Sequence, residues 1–215
     1  MKRHQEGSID TRERLLRAAG QVFARRGFHS TTVREIARKA QANVAAVSYH
    51  FGSKEGLYVA VLKYTLDAAN RKYPSDPGTE DAATPEVRLR AFIRSILFRI
   101  LDEGRPAWHG KLMAREMIEP TFALDQMIEE TIRPFHGQME RIVAELMGPD
   151  AREESVRLCA LSIIGQCTYF CHAQPLLSRL YPRSYGAAQI EQLADHITQF
   201  SLNAIQAFSK KIASE

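Results

Sequence analysis

Near the front of the chain two helix-starting signals lie eleven residues apart, and they restrict the fold more than anything else in the sequence. The first is Thr32-Val33-Arg34-Glu35, in which a hydroxyl is followed three residues later by a carboxylate, the pattern of a capping box. The second is Asn43, whose amide oxygen can accept from a free N–H at the start of Val44-Ala45-Ala46-Val47. A helix opened at Thr32 has room only to about Ala40, and one opened at Asn43 ends near Phe51, before Gly52-Ser53. Two short helices joined by about three residues, the second starting on an N-cap, are the geometry of a helix-turn-helix.

The flanking sequence completes a small bundle. Asp10 and Glu13 predict a capping box for a helix whose stripe is Leu15, Leu16, Ala19, Val22 and Phe23, stopped by Gly27. Ser53 predicts the cap of a fourth helix through Leu57, Val61, Leu62 and Leu66 to about Lys72. Within the second helix of the motif, Val44, Val47 and Phe51 recur at i, i+3 and i+7 and are expected to anchor it. That leaves Ala45, Ala46, Ser48, Tyr49 and His50 toward solvent. Paired alanines permit close approach to a DNA groove and apolar contact with thymine methyls. Tyr49, His50 and Lys54 suit phosphate oxygens, and Thr32 and Lys54 sit where helix N-termini present unpaired N–H groups.

Charge supports a polyanion partner for this end. Residues 1–73 hold 14 Lys+Arg against 6 Asp+Glu, whereas residues 74–215 hold 15 against 19. A basic first third on an acidic remainder places the contact with nucleic acid at the front.

Every strong periodicity beyond the motif is also helical. Tyr73–Pro85, with three prolines and little apolar content, predicts a loop. Leu89, Phe92, Ile93, Ile96, Leu97, Ile100 and Leu101 form one stripe. A long helix is expected from about Thr121 to Met147, kinked at Pro134, then an apolar one from Val156 to His172 and a last one from Ile190 to Lys211. The expected fold is all-α: a three-helix head, residues 1–53, linked by a fourth helix to a C-terminal helical bundle, 54–215, that dimerises. The two long terminal helices are more apolar than a monomer's surface helices need to be, which is the reason to expect a homodimer.

The stretch from Thr31 to Leu57, ending in Tyr49-His50-Phe51-Gly52-Ser53-Lys54-Glu55-Gly56-Leu57, resembles the DNA-binding domain of the TetR family of repressors, and the resemblance covers about residues 8–68. It departs from the usual pattern at Gln41, where a turn glycine is common, at Ser48, where tyrosine is common, and at Val44, often basic. The remainder is similar to a family subgroup with an Asn-Val-Ala-Ala-Val-x-Tyr-His-Phe recognition helix and a second signature, here His109 to Thr121. The resemblance implies a ligand-responsive repressor, binding a palindromic double-stranded operator as a homodimer and controlling a neighbouring transporter or efflux gene; the three cysteines crowded between Cys159 and Cys171 are a poor disulfide framework and fit a reducing cytoplasm. Its DNA contacts are then expected at Thr32, Val44, Ala45, Ala46, Ser48, Tyr49, His50 and Lys54.

An effector pocket is expected from the clustering of aromatic, methionine and isolated polar residues: Phe92, Ile96, Trp108, His109, Met113, Glu116, Met117, Tyr169, Phe170 and His172. The same residue types at helical spacing also build ordinary cores. Cys159, Cys167 and Cys171 admit a metal or thiol sensor, against which stands the behaviour of free cysteine as a small buried hydrophobe. No cofactor and no resident metal are expected, and no apolar run reaches membrane-spanning length. An enzyme is disfavoured by the lack of His-Glu-x-x-His, Gly-x-Ser-x-Gly or a phosphate-binding glycine loop. A helical interaction protein without DNA binding remains the other class, and a salt titration separates the two.

Overall fold

The computed structural model of the chain describes residues 2–75, 83–102, 106–181 and 186–212, with side chains from residue 10 to residue 209. The described residues form helices and no strand: α1 (Lys2–Arg26), α2 (Val33–Ala40), α3 (Val44–Phe51), α4 (Lys54–Lys72), α5 (Pro85–Leu101), α6 (Ala107–Ile118), α7 (Ala123–Met127), α8 (Arg133–Met147), α9 (Glu153–His172), α10 (Gln174–Leu180) and α11 (Ala187–Ile212). A π-helical turn, Ile128–Ile132, lies between α7 and α8. None of these helices is long and apolar enough to cross a membrane.

The motif caps form as the residues predict. Glu35 N–H donates to Thr32 Oγ1 (3.3 Å), Ala45 N–H to Asn43 Oδ1 (2.9 Å) and Gly56 N–H to Ser53 Oγ (3.1 Å). The capping box at Thr32 is closed from one side only, because the Glu35 carboxylate reaches Arg25 and Arg26 of α1. The expected cap at Asp10 does not form. Helix α1 already runs from Lys2, and Asp10 and Glu13 instead pair one turn onward with Arg14 and Arg17.

The long helix expected from Thr121 to Met147 runs without a break from Ala123 to Met147, but as α7, the π-helical turn and α8 rather than as one regular α-helix. Pro134 has no N–H for the ladder and its ring crowds the carbonyl one turn earlier, so a regular α-helix cannot run through it. The widened π-helical turn at Ile128–Ile132, directly before Pro134, absorbs that misfit. Gly148, at φ 89°, closes α8 as expected. The expected loop at Tyr73–Pro85 is described only at its ends, where Tyr73–Ser75 is irregular and Pro85 opens α5; 76–82 lie outside the described residues. Helix α10, with Pro175 in its first turn, is an element that the periodicity did not mark.

By packing, the chain divides into two compact units: Met1–Ala68 with Arg105–Met127, and Ala69–Gly104 with Ile128–Glu215. This differs from the division expected at 53/54, since most of α4 together with α6 and α7 packs with the helix-turn-helix. The first unit is centred on Leu15, Phe23, Ile36, Val47, Leu57 and Tyr58, joined by Trp108 and Leu112 of α6. The second is centred on Phe92, Ile93 and Leu97 of α5, Met139 and Val143 of α8, Cys167 of α9 and Ile197 of α11. At its edge Arg90 and Arg94 of α5 reach Asp195 and Glu191 of α11. Burial pushes the Arg99 guanidinium down to about 10, where it stays protonated at neutral pH, donating from Nε to the Tyr73 carbonyl (2.8 Å).

Candidate DNA-binding site

The turn between α2 and α3 is built on one unusual residue. Gln41 takes φ 52° and ψ 44°, a left-handed conformation that suits glycine, and its N–H closes α2 on the Arg38 carbonyl. Ala42 N–H then bonds back to Ala37, and Asn43 begins α3. Backbone bonds and caps thereby set the turn between the two short helices, and Ile36 and Ala40 of α2 and Val47 of α3 share one buried core.

Burial along α3 departs from the apolar spacing at two positions. Val47 is buried and Phe51 half-buried, as anchors should be, but Val44 is 44% exposed and lies on the outer face. Ala46 is the reverse: expected outside, it is half-buried and packs against the core of the unit. The helix turns about 100° per residue, so 44, 45, 48 and 49 share a face while 46, 47, 50 and 51 turn inward. Ala45, Ser48 and Tyr49 are exposed, Tyr49 by 81%. His50 is half-buried, its ring edge-on to Tyr49 at 4.9 Å. Thr32 is exposed beside the start of α2 while its hydroxyl oxygen accepts the capping bond.

Lys54 changes role. Its ammonium donates to the Phe28 and Thr31 carbonyls, each at 3.1 Å, and stands 4.3 Å from the centre of the Phe28 ring. It ties the start of α4 to the loop before α2 through two of its three N–H donors. Three cations outside the expected DNA contacts, Arg34, Arg38 and Lys39, are all exposed on α2. In the sequence they are part of the basic surplus of the first third, and spacing alone does not single them out.

The ten residues expected around an effector divide between the units. Trp108, His109, Met113, Glu116 and Met117 belong to the first; Phe92, Ile96, Tyr169, Phe170 and His172 belong to the second. In the first unit Trp108 is buried against α1, so close that a Cβ on Gly20 would stand 2.1 Å from its ring. Glu116 is 0% exposed and fully engaged: Oε2 accepts from Tyr58 Oη (2.5 Å), and Oε1 accepts from Thr121 N–H (2.9 Å) and Oγ1 (2.8 Å). Burial and the adjoining carboxyl group push the Tyr58 phenol well above its ordinary value. Trp108 and Glu116 fasten α6 to α1 and α4, a structural role that the signature around them did not reveal. His109 is buried beside Trp108, Met113 is half-buried, and Met117 is exposed. In the second unit Phe92 and Ile96 are core, Phe170 is half-buried against that core, and Tyr169 is exposed. His172 is exposed at the end of α9.

The cysteines stay apart from any ligand set. Cys167 is 0% exposed and burial pushes its thiol up to about 12, while Cys159 is raised for the same reason. Among the described residues no group of three or more His, Cys, Asp or Glu is placed to hold a metal ion.

Comparison with known proteins agrees with this arrangement at both ends. Residues 15–61 match the TetR family of bacterial regulatory proteins, and residues 85–205 match the C-terminal domain of the HTH-type transcriptional dual regulator CecR. CecR of Shigella flexneri is 31% identical, with 74% of each chain covered. Two solved structures share the fold at lower identity. FadR of Bacillus subtilis, in complex with stearoyl-CoA, has a TM-score of 0.65 at 16% identity, over 88% of this chain and 97% of that one. AibR, in complex with isovaleryl coenzyme A and operator DNA, has a TM-score of 0.63 at 19% identity, over 88% of this chain and 97% of that one.

Proposed function

Because the chain belongs to the TetR family of bacterial regulatory proteins and carries the C-terminal domain of the CecR regulators, we propose that it is a ligand-responsive transcriptional repressor that grips a palindromic operator as a dimer. The observation that carries the reading is α3: a capped short helix, set by a backbone-locked turn, with an exposed face in the basic part of the chain. Val44, Ala45, Ser48 and Tyr49 form the surface offered to the major groove. Thr32 and His50 flank it, and Arg34, Arg38 and Lys39 of α2 supply charge for phosphates. Ala46 and Lys54 act from behind, by packing and by tethering.

Dimerisation is proposed through α9 and α11. Leu158 and Leu161 on α9 and Phe200 and Phe208 on α11 are each about half exposed, an apolar surface that a two-fold partner would cover with its own copy of the same patch. Two heads then meet half-sites about one helical turn apart. Effector binding is proposed for the second unit, where Phe92, Ile96 and Phe170 supply the apolar surroundings that small-molecule sites use. An effector lowers operator affinity only through a difference in its affinity for the two conformations. Acyl-CoAs are the first compounds to screen, because two structures of this fold hold them. The protein acts in the cytoplasm, on a neighbouring transporter or efflux gene. A second reading, activation at some promoters, is favoured by the description of the CecR relative as a dual regulator.

The test is a promoter fusion of the intergenic region beside the gene, read with and without the protein. Repression relieved by an added compound supports the proposal. Expression unaffected by the protein at that and other promoters, with no DNA retained by it, defeats the proposal.

A further inference from the structure

We propose that the recognition helix selects thymine through its C5-methyl group, with little selection from polar contacts to purine edges; this rests on the first unit being an operator-binding head. Guanine is read best by Arg or Lys reaching O6 and N7, and adenine by Asn or Gln reaching N6 and N7. The outer face of α3 offers neither kind of side chain, since its exposed residues are Val44, Ala45, Ser48 and Tyr49.

Of the neighbouring polar side chains of the right types, Asn43 and Lys54 already make bonds within the fold, while Gln41 is exposed in the turn before α3 and Arg34, Arg38 and Lys39 are exposed on α2. The Asn43 amide oxygen accepts from Ala45 N–H, and the Lys54 ammonium is bonded to two backbone carbonyls. His50 is half-buried and set against the Tyr49 ring. The Ser48 hydroxyl both donates and accepts, so it fits any base edge and separates them poorly.

What the face does offer is methyl groups. Val44, at the first position of α3, leaves nearly half of its surface in water although its spacing suits an anchor. Ala45 beside it adds a third methyl and lets the backbone approach the groove closely. Thymine carries the only methyl in the major groove, so apolar contact at this face distinguishes it from the other three bases. Charge on α2, at Arg34, Arg38 and Lys39, then contributes affinity that is independent of sequence.

The experiment uses the full chain and an operator enriched by it from a randomised duplex library. Thymines are then replaced one position at a time by uracil, which removes the methyl and keeps the pairing edge. Each methyl that meets Val44 or Ala45 should be worth about fourfold in Kd, so one replacement in each half-site should cost about fifteenfold. Replacing guanine by 7-deazaguanine, which deletes the N7 acceptor, should change Kd by less than about twofold. Val44→Ala, a change at an exposed position, should shrink the thymine-to-uracil ratio while the protein still melts cooperatively. Binding indifferent to every uracil replacement overturns the proposal, as does a loss of about tenfold or more with 7-deazaguanine; in both cases operator binding itself stands. If the library yields no enriched sequence, the operator-binding reading falls, and this proposal falls with it.

Discussion

Lys54 and Glu116 are each charged residues whose types invite a functional assignment, and each is bonded within the fold. Lys54 is held by two carbonyls and an aromatic ring, so Lys54→Ala should destabilise the chain by about 2 kcal/mol, the worth of charged hydrogen bonds at a half-buried site. Urea unfolding measures that change, and the slope of log K against log salt for DNA should stay as it is in the parent. Arg34→Ala should do the opposite: leave stability alone and flatten the salt slope by about one unit for each phosphate that Arg34 neutralises. Tyr58→Phe removes one of three donors to a fully buried carboxyl group and should cost about 2 kcal/mol, seen as a lower Tm. Equal Tm for the two proteins would show that the bond contributes nothing. The raised thiol of Cys167 predicts that it resists alkylation in the folded chain at about pH 8 and reacts only on unfolding, the reverse of a sensor's behaviour.

At the scale of elements, the sequence was most legible where a single residue type dictates local geometry. Thr32, Asn43, Ser53, Gly27 and Gly148 each mark a helix end where the chain has one, because caps and left-handed stops act within about four residues. Legibility failed where the outcome depends on long-range packing. Val44 and Ala46 have the spacing of an anchor and an outward residue, yet the neighbouring helices reverse them. The seat of α6 against α1 leaves no local signal either, being written jointly in Gly20 and Trp108, which are far apart in sequence. Gly20→Ala is a sharp test of that seat. In an isolated helix the change would stabilise by about 1 kcal/mol, but here the new Cβ meets the Trp108 ring. The variant should be less stable than the parent, and emission from Trp108, the one tryptophan of the chain, should move to longer wavelength. A more stable variant with unchanged emission would show that α6 is not seated there.

For the whole molecule, the outward apolar residues of α9 and α11 set the expected assembly. Phe200→Glu and Leu161→Glu replace exposed side chains, so each should leave the monomer folded while converting a dimer to monomers in light scattering. DNA affinity should fall with the dimer, because a single head grips only one half-site. The central claim is that the basic first unit reads DNA, and its most direct measurement is operator affinity by fluorescence anisotropy across salt concentrations. Log K should fall linearly with log salt, with a slope of several units for the dimer, and the enriched operator should bind at least about a thousandfold tighter than a scrambled duplex. Binding that ignores salt, or that treats operator and scrambled duplex alike, would contradict it.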